Sequence, residues 1–318
     1  MPAILAIPFV FLFGSTFPQQ ILAHILGAGI VSLTFLISMK VKKDIKLAIW
    51  SSLLIGIGSI VWYMSATGSV WLVGQLTSAF FLTLAIYESL TKKRVWVVGI
   101  CLGSIYLSRP HVILALPLFL YLLKDELKNF KNIILIGLGA APFFLFGFYY
   151  NFIRFGSIFD KAYFILPQIL GETNSPWFVH GVENILYIPN NLRTIFLSLP
   201  KFVPNFPYIE PSWYGLAIWI TTPAFILALK NNLKEKVVQF SWISIALISL
   251  VVFSHGGNGF AQFGYRFAVD FYPILVFLTI WSVSKKKLTK YHWILLFVGI
   301  LVNLWGVLWI NKFGWISY

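Results

Sequence analysis

Eight stretches of this chain run apolar for close to the roughly 17–25 residues that a helix needs to cross about 30 Å of hydrocarbon. Short lysine-rich turns separate most of them. Inside lipid a backbone must satisfy its own hydrogen bonds, which leaves a helical bundle or a closed β-barrel. Barrel strands read as segments of about ten residues with alternating hydrophobicity, whereas these runs are continuous. The sequence therefore predicts an all-α, polytopic transmembrane bundle. Charged residues make up 11% of the chain, against about 25% in a soluble domain, too few to clothe a water-facing surface.

The net charge of +14 raises nucleic acid as a partner, and the placement of the charge removes it. Of 24 Lys and Arg, 17 fall in five short clusters, at 40–46, 92–94, 124–131, 230–236 and 285–290. Basic residues crowding short loops mark the cytoplasmic side and suit anionic lipid; nucleic acid would require one contiguous basic face. Cys101, the single cysteine, lies in an apolar run, which excludes a disulfide framework and a thiolate metal site. The apolar start, MPAILAIPFVFLFG, has neither a basic leader nor an A-x-A site and reads poorly as a signal peptide.

With the five clusters on the cytoplasmic side, the expected crossings are 21–39, 47–64, 70–88, 132–153, 213–229, 237–254, 268–284 and 293–310. Trp62, Trp71, Trp213, Trp293 and Trp309 lie near span ends, where indole favours the headgroup level. Residues 95–123 stand between two basic clusters and must cross an even number of times. They divide at Ser108-Arg109-Pro110 into halves that each reach only about 20 Å as helix. Proline ends the first half, so 95–123 is expected to be a hairpin of two short helices with Arg109 and His111 at its tip. One transmembrane domain is expected over 1–318: an interfacial segment at 1–20, a first helix group at 21–153, a long extracytoplasmic loop at 155–212 that opens from residue 154, and a second helix group at 213–318.

Four segments, PAILAIPFVFLFG (2–14), LGSIYLSRPHVILALP (102–117), YYNFIRFGSIFDKAY (149–163) and QFGYRFAVDFYPIL (262–275), follow one another in a familiar order. Together they resemble the GT-C superfamily of membrane glycosyltransferases, specifically relatives of protein O-mannosyltransferases and lipid A aminoarabinose transferases. The resemblance covers most of the chain. It implies transfer of a sugar from a polyprenyl-phosphate donor to an acceptor at the extracytoplasmic face, in a prokaryotic inner membrane. The family's catalytic Asp, in the first outer loop, has no counterpart here, because the sequence starts after the point where that loop would end. Two alternatives stand: a fragment of a longer transferase, or a chain that has lost the chemistry. No cofactor is identified; a divalent metal in that loop would accompany it.

Such chemistry needs a base for the acceptor, cationic or hydrogen-bonding groups for the departing phosphate and a groove for the isoprenoid. Arg109 is an ionisable group among apolar residues, a functional candidate by default, and its guanidinium suits phosphate; snorkelling to headgroups is the plainer reading. Tyr265, Arg266 and Asp270 open a late span behind His255-Gly256-Gly257-Asn258-Gly259. On an α-helix Arg266 and Asp270 can pair at four residues' separation; the alternative has Arg266 and Gln262 holding the carrier phosphate. Tyr150, Asn151 and Arg154 end a span on the outer side, as an aromatic belt with headgroup contacts or as part of the site. His24 is expected to bond a neighbouring helix, Glu88 to pair with Lys92, and Asp125-Glu126 to form a solvated cytoplasmic face. The rivals to a transferase are a lipid or small-solute transporter or flippase, which would show broken helices in matching repeats, and an inactive membrane scaffold.

Overall fold

The computed structural model describes residues 1–259 and 261–314, which are predominantly helical. α1 (Pro2–Phe13) buries none of its side chains. α2 (Gln20–Val41) is the first helix long and apolar enough to cross a membrane. α3 (Ile45–Gly56) starts where the Asp44 carboxylate accepts from the amides of Lys46 and Leu47, a side-chain cap for otherwise unpaired donors. α3 and α4 (Val61–Thr67) together have the length and apolar composition of a span and are bent by 54° at residues 57–60. The break falls at Gly56-Ile57-Gly58-Ser59, where the Leu53 carbonyl accepts from both Ile57 (3.0 Å) and Gly58 (2.9 Å) and the regular ladder ends. Gly68 then turns the chain at φ 61°, and a β-carbon there would stand 2.5 Å from Cα of Gln20, so only glycine lets α5 (Val70–Leu90) come back alongside α2.

α6 (Val95–Tyr106) and α7 (Leu116–Leu122), joined by a 3₁₀ turn over Pro110–Ala115, form the hairpin expected at 95–123. α8 (Phe130–Phe155) lies along α6 at backbone contact. A β-carbon on Gly99 would run into the Ile136 carbonyl, and one on Gly139 into the Trp96 carbonyl, the small-residue approach that binds helices in lipid. Gly99→Val is therefore expected to cost about 1–3 kcal/mol through overpacking, read as a lower thermal midpoint in detergent, whereas Gly137→Ala, where the added carbon meets nothing within 4 Å, leaves the midpoint unchanged.

Residues 156–217 carry α9 (Ala162–Leu170), α10 (Ile188–Leu197) and a two-residue antiparallel strand pair, Lys201–Phe202 with Ile209–Glu210. This segment is fastened to the bundle by backbone bonds: Asn184 N–H to Ser254 O (2.7 Å), Gly256 N–H to Val182 O (2.9 Å) and Leu216 N–H to Phe263 O (2.9 Å). Gly256 permits this, since a β-carbon there would overlap the Trp177 carbonyl.

The expected span at 213–229 is not one helix. It divides into α11 (Ile218–Thr221) and a 3₁₀ segment, Pro223–Lys230. Pro223 removes a donor and drives Thr222 out of the helical region (φ −143°, ψ 69°). Side chains take up the freed carbonyls: Asn303 Nδ2 donates to Thr221 O (2.6 Å), and Asn231 Nδ2 donates to Ala228 O (2.9 Å) while also reaching Leu278 O of a neighbouring helix (2.8 Å). α12 (Lys236–Ser254) is followed by a 3₁₀ turn, Arg266–Asp270, which leads into the central, almost wholly buried α13 (Tyr272–Ser284). α14 (Lys290–Val307) continues into a π-helical turn to close the described chain. Among the described residues five helices have the length and composition of a membrane span, or six counting the bent pair α3–α4. This is an integral membrane protein.

The basic turns gather at one end. Lys42 Nζ donates to Lys286 O (3.0 Å), Lys285 pairs with Glu235, and Lys93 lies 3.9 Å from Glu126. The solvated Asp125 pairs with Lys128 at 2.8 Å, which holds its carboxyl below the usual range. Glu88 pairs with Arg94 rather than Lys92: Nε and Nη2 of Arg94 reach its carboxylate at 2.9 and 2.8 Å. The cause is the turn at Lys93 (φ 52°), which folds Arg94 back over the end of α5, where the guanidinium fork meets both oxygens. Trp71, Trp213 and Trp293 are exposed, but Trp309 is buried beside Trp305 and belongs to the core.

Candidate functional site

Opposite the basic turns, three sequence-distant elements meet: the N-terminal part of α5, the hairpin tip and the 3₁₀ turn before α13. Their depth follows from helix lengths. α6 has 12 residues and α5 has 21, so the hairpin rises about 18 Å beside a neighbour of about 31 Å. Tyr106, at the end of α6, stacks on Phe144 (4.1 Å between centroids), and α8 continues for eleven residues beyond Phe144 to Phe155. The hairpin tip therefore stops short of the far ends of α5 and α8, among apolar side chains of the bundle. Pro110 and the extended Arg109 (φ −147°) end the helix there.

Arg109 and His111 both turn to Asp270. Nε and Nη2 of Arg109 donate to Oδ2 at 3.1 and 2.8 Å, and His111 Nε2 lies 2.8 Å from the same oxygen. Asp270 is wholly buried, and its Oδ1 has no hydrogen-bond partner among the described residues. The i to i+4 pair of Arg266 with Asp270 does not form. Residues 266–270 are wound as 3₁₀, so four steps turn the side chain about 120° out of line instead of the ~40° of an α-helix.

Arg266 instead reaches Gln75 on α5 (Nη1 to Oε1, 3.4 Å), and Gln75 Nε2 donates to the Arg266 carbonyl (3.1 Å). Both guanidiniums lie over the Phe267 ring, Arg266 at 4.9 Å and Arg109 at 5.7 Å from its centroid, a favourable cation–π arrangement. His255, just past α12, packs edge-on to Phe267 and to Tyr163 of α9. Burial, first, and the neighbouring positive charge of Arg109 and Arg266 hold its imidazole below its ordinary pKa, against the raising effect of its bond to the Gly257 carbonyl. One buried carboxylate thus has two guanidiniums and two imidazoles in its neighbourhood, a locally cationic cluster.

The other expected site residues fall into two groups. Gln262 and Tyr265 are buried braces: Gln262 donates to the carbonyls of Tyr214 (2.6 Å) and Asn258 (2.9 Å) and accepts from Arg266 N–H (3.2 Å), and the Tyr265 hydroxyl donates to Asn191 Oδ1 (2.8 Å). They shape the turn that presents Arg266. Tyr150, Asn151 and Arg154 lie at the end of α8, with Arg154 over Tyr150 (5.2 Å) and Asn151 donating to Ile158 O (3.2 Å); no contact among the described residues joins them to Asp270. Sequence reasoning missed Gln75 and Asn191. Gln75 had a signal, an uncharged amide inside an apolar run. Asn191 had none, since its Nδ2 bonds to the carbonyls of Phe253 and His255 (2.9 Å each) depend on how a distant loop packs.

Compared with protein-family models, with curated proteins and with solved structures, the chain finds no match.

Proposed function

We propose that this chain is a GT-C-type membrane glycosyltransferase, or the membrane core of one, and that Arg109 and Arg266 receive the phosphate of a polyprenyl-phosphate sugar donor. The observation that carries the reading is the meeting of Arg109 and His111 on one buried carboxylate, with Arg266 over the same Phe267 ring as Arg109. These residues come from two of the four segments on which the resemblance rests, more than 150 positions apart, and Tyr163 of a third segment packs against His255 beside them. In a medium of low dielectric, guanidiniums fixed before the anion arrives stabilise it far more than they would in water. In this reading the chain crosses the membrane eight times in addition to the hairpin, and residues 155–212 lie outside the cytoplasm, where the acceptor is met.

Asp270 occupies the Arg109 fork that a phosphate would use. Binding then exchanges one acceptor for another, leaving Asp270 with His111.

The reading is tested with purified protein in nanodiscs by native mass spectrometry. A long-chain polyprenyl phosphate is expected to be retained, the matching polyprenol to be lost, and retention of the phosphate to fall at least tenfold in Arg109→Gln/Arg266→Gln. Equal retention of phosphate and alcohol contradicts it.

A further inference from the structure

Two of the basic turns meet at one end of the bundle and keep charge that nothing beside them neutralises. Eight lysines stand there, four within 40–46 at the α2–α3 turn and four within 285–290 at the α13–α14 turn. The turns are locked together: Lys42 Nζ donates to Lys286 O (3.0 Å) and Trp50 Nε1 donates to His292 O (3.0 Å). Their neighbouring acids are already engaged. Asp44 caps α3 and lies 3.9 Å from Lys42, and Glu235 accepts from Trp281 and Lys285. Lys40, Lys43, Lys46, Lys286, Lys287 and Lys290 are exposed, and their ammonium groups have no ion pair among the described residues. The other basic end of the hairpin differs, since Glu88, Glu126 and Asp125 pair there with Arg94, Lys93 and Lys128.

The helices that carry these lysines form an apolar groove beside them. α3 and α14 run side by side in the same direction. They touch where Trp50 meets His292, and again where a β-carbon on Gly299 would stand 2.9 Å from the Gly58 carbonyl oxygen. Side chains advance about 100° per residue around an α-helix. On parallel right-handed helices, the position before Trp50 and the position after His292 therefore turn to the same side of the seam. These positions are Ile49 and Trp293. Both are exposed, as is Phe297 one turn beyond Trp293. Lys46 precedes Ile49 by three residues and Lys290 precedes Trp293 by three, so each wall of the groove carries an ammonium on its own face.

Position and charge select the occupant. α2 ends at Val41 and α14 begins at Lys290, and both helices have the length and composition of a membrane span. The lysines therefore stand where span ends meet the bilayer surface. Trp293, in the first turn of α14, suits the same level. A molecule seated here meets cations at the end of the helices and apolar side chains along them. Free phosphate engages only the cations and a neutral lipid only the apolar wall. An anionic phospholipid engages both. We propose that this groove binds one anionic glycerophospholipid, its phosphate held by Lys43, Lys46, Lys286 and Lys290 and an acyl chain lying along Ile49, Trp293 and Phe297.

The test uses the full chain in liposomes with two probes, phosphatidylglycerol and phosphatidylcholine, that carry the same diazirine-bearing acyl chain. Cross-links are mapped by peptide mass spectrometry. Peptides spanning 45–53 and 290–298 are expected to take at least fivefold more label from the phosphatidylglycerol probe than from the phosphatidylcholine probe. The exposed face of α8 around Leu138 and Leu145, which reports ordinary surrounding lipid, is labelled equally by both. Lys43→Gln/Lys46→Gln/Lys286→Gln/Lys290→Gln, all at exposed positions, brings the ratio at the groove to about one, whereas Lys124→Gln/Lys131→Gln leaves it unchanged. A ratio of one in the parent, the same ratio on α8, or a ratio that survives the fourfold change overturns the site. Absence of label from both probes, the result if a second copy of the chain covers the groove, overturns it too. Displacement of the phosphatidylglycerol label by inorganic phosphate overturns the lipid as occupant in favour of a free anion. None of these outcomes depends on what Arg109 binds.

Discussion

Asp270→Ala is expected to destabilise the bundle by about 3–5 kcal/mol, the cost of removing one partner from a buried ion pair. The carboxylate has no exposed surface and receives three bonds on one oxygen. Its loss leaves the Arg109 guanidinium with no counter-charge, in a region that punishes unpaired cations, and His111 Nε2 without its partner. Because those donors join the hairpin to the turn before α13, the loss should appear as an early, local opening of 109–115 and 262–272 in hydrogen exchange before global unfolding. Asp270→Asn retains an acceptor of the same shape and should lose less. The triple change Asp270→Leu, Arg109→Met and His111→Phe removes the carboxylate together with both groups that bond it and should recover most of the stability, as replacement of buried ionic clusters by apolar groups often does. Thermal unfolding of the four variants in one detergent checks the order. Recovery in the triple variant separates an electrostatic origin from simple loss of packing.

On the proposed transferase reading, Arg109→Ala is expected to reduce sugar transfer by about 10²–10³-fold, the range seen when one donor to a developing oxyanion is removed. Insertion should not suffer, because taking a charge out of an apolar hairpin favours the membrane. Arg109→Lys keeps the charge but loses the two-pronged geometry seen at Nε and Nη2 and is expected to fall between the two. Transfer assayed at matched amounts of membrane-inserted protein gives the answer. Activity of Arg109→Ala within threefold of the parent would remove Arg109 from the site.

How far the sequence reached depended on what each feature needs. Hydropathy and lysine placement are local quantities, so the membrane class and the gathering of basic turns were legible. The hairpin was legible because Pro110 announces its own break. The same logic applied to Pro223, and there a run of apolar residues was taken for a helix although proline divides it. Pairing was less accessible. The rule of four residues holds only on an α-helix, and it failed at Arg266 with Asp270, where the backbone is 3₁₀, and at Glu88, where the turn at Lys93 brings Arg94 closer than Lys92. Arg109 and Asp270 were both visible as ionisable groups among apolar residues. That they meet, 161 positions apart, is a property of packing.

The proposed chemistry requires the cationic rim and residues 155–212 to face away from the cytoplasm, where an acceptor outside the cell would be reached. Single cysteines at the exposed positions Gln168 and Asn232, introduced with the buried Cys101 replaced by Ala, test this in intact cells with a membrane-impermeant maleimide. The account predicts that Gln168→Cys is labelled from outside, while Asn232→Cys reacts only after the membrane is opened. The reverse pattern would place Arg109 on the cytoplasmic side and contradict the account.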